Sequence, residues 1–267
     1  MLIVQISDSH LAGAGKKTYG IAPMAENLAR CIAHINALVP AVDVVLMTGD
    51  VGDSGRAEEM REAVALLGKL NCPFYIVPGN HDTRESLLSA FGGGACPAAP
   101  DGFINYVVED YDVRLIGFDS SIPGKPGGEI CDVRAAWLEQ QLAVDSEKPT
   151  IIFMHHPPVK CGVRESNKDG FIGVNRLAAM ISNYDNIERI VCGHIHLVTH
   201  TSWHGTIVST APSMGMQLDF DMTMARPSMF CLTPPAYLLH HWTPQKNLVT
   251  HTITVQDVDG PYLFEEQ

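Results

Sequence analysis

Val42-Asp43-Val44-Val45-Leu46-Met47-Thr48-Gly49-Asp50 is an apolar run that ends in a glycine and a carboxylate. It is short and rich in β-branched residues. That predicts a buried parallel strand with Asp50 at its C-terminal edge. Sites in α/β proteins collect at this edge, because loops leave the rigid sheet there. Four other predicted strand ends carry residues of the same kind: Asp8-Ser9-His10, Gly79-Asn80-His81-Asp82, His155-His156 and Gly193-His194-Ile195-His196. Asp50 is read as a carboxylate that bridges two metal ions, with the other clusters completing the cage.

The elements around this strand follow from periodicity. Leu2 to Ile6 reads as a first strand that delivers Asp8 and His10. Met24, Leu28, Cys31, Ile32, Ile35 and Leu38 fall at helical spacing, as do Met60, Ala63, Val64, Leu67 and Leu70. Phe74 to Val77 is a strand stopped by Pro78-Gly79. A β-α-β-α-β order implies a mostly parallel sheet with right-handed crossovers. Further on, Ile104 to Val108 and Val113 to Phe118 read as a hairpin, and Val133 to Leu142 as a helix. Thr150 to Met154 reads as a strand that Pro157-Pro158 stops at the histidines. Cys161 to Phe171 reads as a polar loop, Val174 to Ser182 as a helix and Arg189 to Cys192 as a short strand. The segments 196–201, 206–210, 236–242 and 248–255 read as successive antiparallel strands. The expectation is one domain over 1–267. Residues 211–235, Met- and Pro-rich without a period, form an inserted cap or oligomer contact within it. The apolar residues Met214, Met216, Met222, Met224, Met229 and Phe230 carry that second reading.

Bulk composition narrows the function. The 267 residues are 46% apolar, enough for a sizeable core, and carry a formal charge of −12. Such a balance disfavours polynucleotides, whose phosphates need basic partners. A small anionic substrate stays open, because bound metal ions dominate a local field. Seven scattered cysteines without a CxxC pair look like reduced thiols, and no apolar run approaches membrane-spanning length. The expectation is a cytoplasmic protein with no membrane partner.

Each cluster has a structural explanation when taken singly. Asp caps loops at strand ends, and Asn-His-Asp after Pro-Gly is turn chemistry. Gly-His-x-His is more specific, since His194 and His196 would point the same way on an extended chain. Five such clusters at five strand ends are hard to explain as turns. Asp8, His10, Asp50, Asn80, His155, His194 and His196 give each of two ions four protein ligands if Asp50 is shared. Imidazole with carboxylate suits Zn, Mn, Fe or Co. Two divalent ions against two anionic ligands leave a positive site, and a metal pair can clamp an in-line displacement at phosphorus. His156 is expected to support or pack. Lys16, Tyr19, Arg164 and Lys168 are weaker candidates for substrate contact. His34 reads as a surface or boundary histidine on its helix, and His200, His204, His240, His241 and His251, without evident partners, read as surface or core.

The pattern Asp8-x-His10, Gly49-Asp50, Gly79-Asn80-His81-Asp82, His155 and Gly193-His194-x-His196 resembles the calcineurin-like binuclear metallophosphoesterases. The likeness is nearest to their bacterial cyclic-nucleotide phosphodiesterase and glycerophosphodiesterase branch. Met154-His155-His156-Pro157-Pro158 and Phe118-Asp119-Ser120-Ser121 also look like that branch, and the resemblance spans roughly residues 1–210. It implies a four-layer α/β/β/α sandwich with two mixed sheets. It implies one metal held by Asp8, His10, Asp50 and His196, and another by Asp50, Asn80, His155 and His194. His81 then faces the substrate as a catalytic group beside Asp50. The expected activity is hydrolysis of small phosphodiesters by a metal-bridging hydroxide, in a homo-oligomer. A phosphomonoesterase or phosphonate esterase on the same site, or a scaffold without catalysis, are the other readings.

Overall fold

The computed structural model describes residues 1–264. Its strands and helices are numbered in chain order. One sheet runs β15 (Leu248–Thr254), β14 (Ala236–Trp242), β1 (Leu2–Ile6), β2 (Val44–Met47), β3 (Phe74–Ile76). The other runs β10 (Thr199–Trp203), β11 (Thr206–Thr210), β9 (Ile187–Cys192), β7 (Thr150–Phe153), β5 (Arg114–Gly117), β4 (Tyr106–Val108). Two small ladders complete the set. They pair β12 (Met216–Leu218) with β13 (Phe230–Leu232), and β6 (Gly128–Glu129) with β8 (Phe171–Ile172). The helices are α1 (Met24–Asn36), α2 (Ala57–Leu67), α3 (Arg84–Phe91), α4 (Asp132–Val144), α5 (Arg164–Asp169) and α6 (Val174–Ile181).

Strand periodicity sorts the core into layers. In the second sheet Leu115, Ile151, Phe153 and Val191 join the apolar cluster shared with the first sheet and α1, α2 and α3. Their alternates Ile116, Ile152, Ile190 and Cys192 join the cluster under α4 and α6. Successive side chains point to opposite faces, so a sheet with both faces covered must be apolar at every position. The result is helix, sheet, sheet, helix. α1 shows the complementary rule: Met24, Leu28, Cys31, Ile32 and Ile35 fall on one stripe and are buried. Each such aliphatic side chain contributes about 1.5–3 kcal/mol relative to exposure.

Three expectations need correction. The segment 161–171 is not all loop: Arg164–Asp169 forms the short helix α5. The late strands are not one meander. β11 pairs parallel with β9 in the second sheet, whereas β14 and β15 extend the first. The first of them, expected at 196–201, begins at Thr199.

Candidate metal centre

Register brings the donors together. Ile6 pairs with Met47 and Met47 with Ile76, so β1, β2 and β3 finish side by side. Gly117, Phe153 and Val191 do the same in the second sheet. The two finishing edges are joined by polar bonds. Gln5 Nε2 donates to Thr48 Oγ1 (3.0 Å) and to the Cys192 carbonyl across the sheets (2.8 Å).

The backbone is strained where the donors leave the strands. Nine non-glycine residues have positive φ among those described, and five are Asp8, His10, Asp50, His194 and His196. Each such residue costs of order 1–3 kcal/mol and persists only where its surroundings hold it. Glycines make the close approach possible. A Cβ on Gly79 would strike the Asp50 carboxylate, and one on Gly193 would strike Ser7 Oγ and the Asp8 carboxylate. His194 and His196 are therefore not on an extended chain, and they do not act as a pair. His196 turns toward Asp8 and His10, whereas His194 turns toward Asn80.

Two sets of donor atoms result. In one, His196 Nε2 lies 3.4 Å from Asp8 Oδ1 and 3.0 Å from His10 Nε2, and His10 Nε2 lies 3.6 Å from Asp50 Oδ2. In the other, Asn80 Oδ1 lies 3.1 Å from His155 Nε2 and 3.0 Å from His194 Nδ1, with His155 Nε2 3.3 Å from Asp50 Oδ2. Asp50 Oδ2 faces both sets, and its Oδ1 accepts the His81 N–H at 2.8 Å.

These atoms fit metal ions on two counts. Tetrahedral ligands about 2.1 Å from one ion lie roughly 3.4 Å apart, which matches the spacings found. The proton arrangement is also right. His155 Nδ1–H donates to the Thr48 carbonyl (2.7 Å) and His196 Nδ1–H to the Met216 carbonyl (2.6 Å). Carbonyls only accept, so each neutral ring keeps a lone pair on Nε2, aimed at other acceptors. Metal-binding imidazoles are oriented in this way by the bond their other nitrogen makes.

The same crowding shows in the titration of the protein groups. Burial opposes charge on Asp50, but the His155 imidazole, by charge and hydrogen bond, holds its carboxyl well below the usual range. Burial likewise opposes charge on His155, and Asp50 outweighs it, pushing the imidazole up to about 9. His194 is depressed to about 3 by burial and by the neighbouring His155. Bound cations would take over the role of these protons.

His81 lies beside the donors without joining either set. Its Nδ1–H donates to the Asp53 carbonyl at 2.7 Å, which leaves Nε2 for the cavity. That cavity, of about 380 Å³, is lined by His81, Tyr19, Glu165, Asp169, Met229 and Phe230 among others, with no Lys or Arg among the described residues. Of the weaker candidates only Tyr19 lines it. Lys16 bonds Glu58 (2.7 Å), while Arg164 borders a different cleft and Lys168 is exposed. His156 is buried, its Nδ1 on Ser120 Oγ (2.9 Å) and its ring 4.8 Å from that of His194.

Two residues that sequence reasoning left aside shape the site. The Asp82 carboxylate accepts the N–H groups of Val51, Gly52 and Gly79, so it splints the loops that carry Asp50 and Asn80. Burial and the Asp50 charge push its carboxyl up to about 6. Its place in the Asn-His-Asp motif was the available signal. Glu165, within α5, lines the cavity, and no apolar period marked it.

The chain is similar to several known proteins. The family model for calcineurin-like phosphoesterases matches residues 1–198. A "probable glycerophosphodiester phosphodiesterase" of Arcobacter nitrofigilis is 38% identical over 265 residues, 99% of this chain and 97% of its own. A "probable cyclic nucleotide phosphodiesterase" of Rhodopseudomonas palustris is 28% identical over 270 residues, 98% of this chain and 94% of its own. A dimetal phosphatase of Danio rerio shares the fold, with a TM-score of 0.65 at 14% identity over 96% of this chain and 99% of its own.

Proposed function

The chain belongs to the calcineurin-like phosphoesterase family and is a metal-dependent phosphodiesterase, and from that premise we propose that it hydrolyses small phosphodiesters at the Asp50 centre. The substrates are of glycerophosphodiester or cyclic nucleotide type, the two activities that its relatives' names carry. The carrying observation is the convergence of seven donors in two sets that share Asp50 Oδ2. Asp8, His10, Asp50 and His196 would hold one ion, and Asp50, Asn80, His155 and His194 the other. Two transition-metal ions there, Fe, Mn, Zn or Co, would supply a bridging hydroxide as nucleophile and draw charge from the phosphate oxygens.

The chain's own residues do the rest. Asp50 is fixed by the His81 N–H and so aligns both halves. Asn80 donates an oxygen without adding negative charge. His81, held through Nδ1–H by the Asp53 carbonyl, presents Nε2, and as an imidazolium it can give the Nε2 proton to the departing alkoxide. The cavity walls favour a diester over a monoester. Glu165 and Asp169 line them without a basic side chain, so a second negative charge on the substrate would be repelled there.

The decisive experiment compares bis(p-nitrophenyl) phosphate, p-nitrophenyl phosphate, glycerophosphodiesters and 3′,5′-cyclic nucleotides on enzyme reconstituted with Mn, Co, Zn or Fe. Faster turnover of the monoester than of every diester would overturn the reading. A cytoplasmic location goes with this activity. All seven cysteines are free, and no helix among the described residues is long and apolar enough to cross a membrane.

A further inference from the structure

His155 and His196 are oriented by carbonyls with different kinds of support. Thr48, the acceptor for His155, directly follows β2, and its N–H donates to the Ile6 carbonyl inside the first sheet. Met216, the acceptor for His196, opens β12 and belongs to neither large sheet. Ser213, fully buried, holds Met216 in place. Its hydroxyl donates to the Asp8 carbonyl at 3.1 Å and accepts the Met216 N–H at 3.2 Å. One hydroxyl thus ties the main chain of a carboxylate donor to the residue that orients an imidazole donor. Gln217 Nε2 closes the same turn by donating to the Ser213 carbonyl at 2.9 Å. Gly215 completes it at φ 109°, where a Cβ would meet the Asn27 amide of α1.

We infer that Ser213 is the positioning residue for the half of the centre made by Asp8, His10 and His196, and that this half alone depends on the 213–218 turn. The inference rests on the reading that the centre holds two ions. Without the hydroxyl, the Asp8 carbonyl and the Met216 N–H lose a partner in the interior, and the turn shifts to recover one. The Met216 carbonyl moves with it. His196 then loses the acceptor that fixes both its rotation and its tautomer. Removing the outer partner of a metal-binding imidazole typically lowers affinity about 10–100-fold. The His155 and His194 rings take no bond from this turn, and His194 meets it only through its N–H on the Asp8 carboxylate, so the imidazoles of the second half keep their partners.

The test is a Co(II) titration of apoprotein, followed by calorimetry and by the visible absorption of the bound ion. Wild type takes up two ions, and His196→Ala identifies one binding step by abolishing it. Ser213→Ala should weaken that same step about 10–100-fold and leave the other within about twofold. Gly215→Ala, which disturbs the turn through different atoms, should weaken the same step. Circular dichroism establishes that each variant is folded. If Ser213→Ala fails to fold, Gly215→Ala is judged by the same criteria. Unchanged steps, or equal weakening of both, would overturn the role of Ser213. Fewer than two ions on the wild-type protein would instead overturn the two-ion reading, and this inference with it.

Discussion

His10 Nε2 and His196 Nε2 face each other at 3.0 Å, although 186 residues separate them in the chain. The Met216 carbonyl takes the proton of His196 Nδ1, so the atom it shows to His10 is a lone pair. The buried Nδ1 of His10 has no hydrogen-bond partner among the described residues, and the Asp53 carboxylate stands 3.6 Å from it. With the His10 Nδ1–H turned toward Asp53, both Nε2 atoms would present lone pairs to a cation between them.

Asp50→Ala removes the one residue common to both donor sets. Bound metal, measured by elemental analysis after dialysis, should fall below two per chain, with both sites weakened. Retention of two tightly held ions would mean that Asp50 is not shared.

Asn80→Asp keeps an oxygen donor and adds a charge. Metal content should stay at two while turnover of an anionic diester falls, because the site has become less positive. Equal kcat in variant and wild type would remove Asn80 from the centre.

His81→Ala should spare the metals, since its ring joins neither donor set. Alkyl diesters need a proton on the leaving oxygen, whereas p-nitrophenolate does not. The alkyl substrates should therefore slow by up to about 10²–10⁴-fold and the activated aryl diester by much less. A uniform loss across leaving groups would point to phosphate binding by His81 instead.

Asp119→Ala should destabilise the fold by roughly 3–5 kcal/mol in urea unfolding, the usual result of stripping a partner from a buried charge. Asp119 is fully buried and accepts both Nε and Nη2 of Arg84, at 2.5 and 3.0 Å. Arg84 and Arg134 also stack on Phe103, at 4.8 and 4.7 Å from its centre. A loss below about 1 kcal/mol would show that the pair is dispensable.

Self-association is expected through the exposed part of 211–235. Met214 and Met216 are buried in their own chain and cannot serve it, but Phe220, Met222 and Met229 are 60, 65 and 43% exposed. Sedimentation at micromolar concentration should show a dimer or larger species, which Phe220→Ser with Met222→Ser dissociates. A monomeric wild type would refute this.

The donors were legible because strand ends write themselves into sequence. A β-branched run stopped by glycine or proline locates an edge, and the edge locates the chemistry. What escaped has weaker local signatures. α5, Arg-Glu-Ser-Asn-Lys-Asp, contains no apolar residue, so no period could announce it. α3 also went unread, although Thr83 caps it by accepting the Ser86 N–H. It buries only Leu87 and Phe91, so it carries no apolar stripe of the kind that marked α6. The turn from Ser213 to Met216 is held by side chain to main chain bonds between distant segments, which composition does not record. The left-handed backbone at His194 and His196 was invisible for a related reason. Their conformation is imposed by the packing of Gly193 against Asp8, not by local preference.

The Gln5 amide, bonded at once to β2's neighbour Thr48 and to the end of β9, has a thermodynamic corollary. Each donor set draws on both sheets, so neither sheet alone offers a complete coordination sphere. Parting the sheets should therefore release the ions and collapse the tertiary structure in a single step. On heating, metal release and loss of near-ultraviolet dichroism should share one midpoint, and that midpoint should climb with the concentration of free metal.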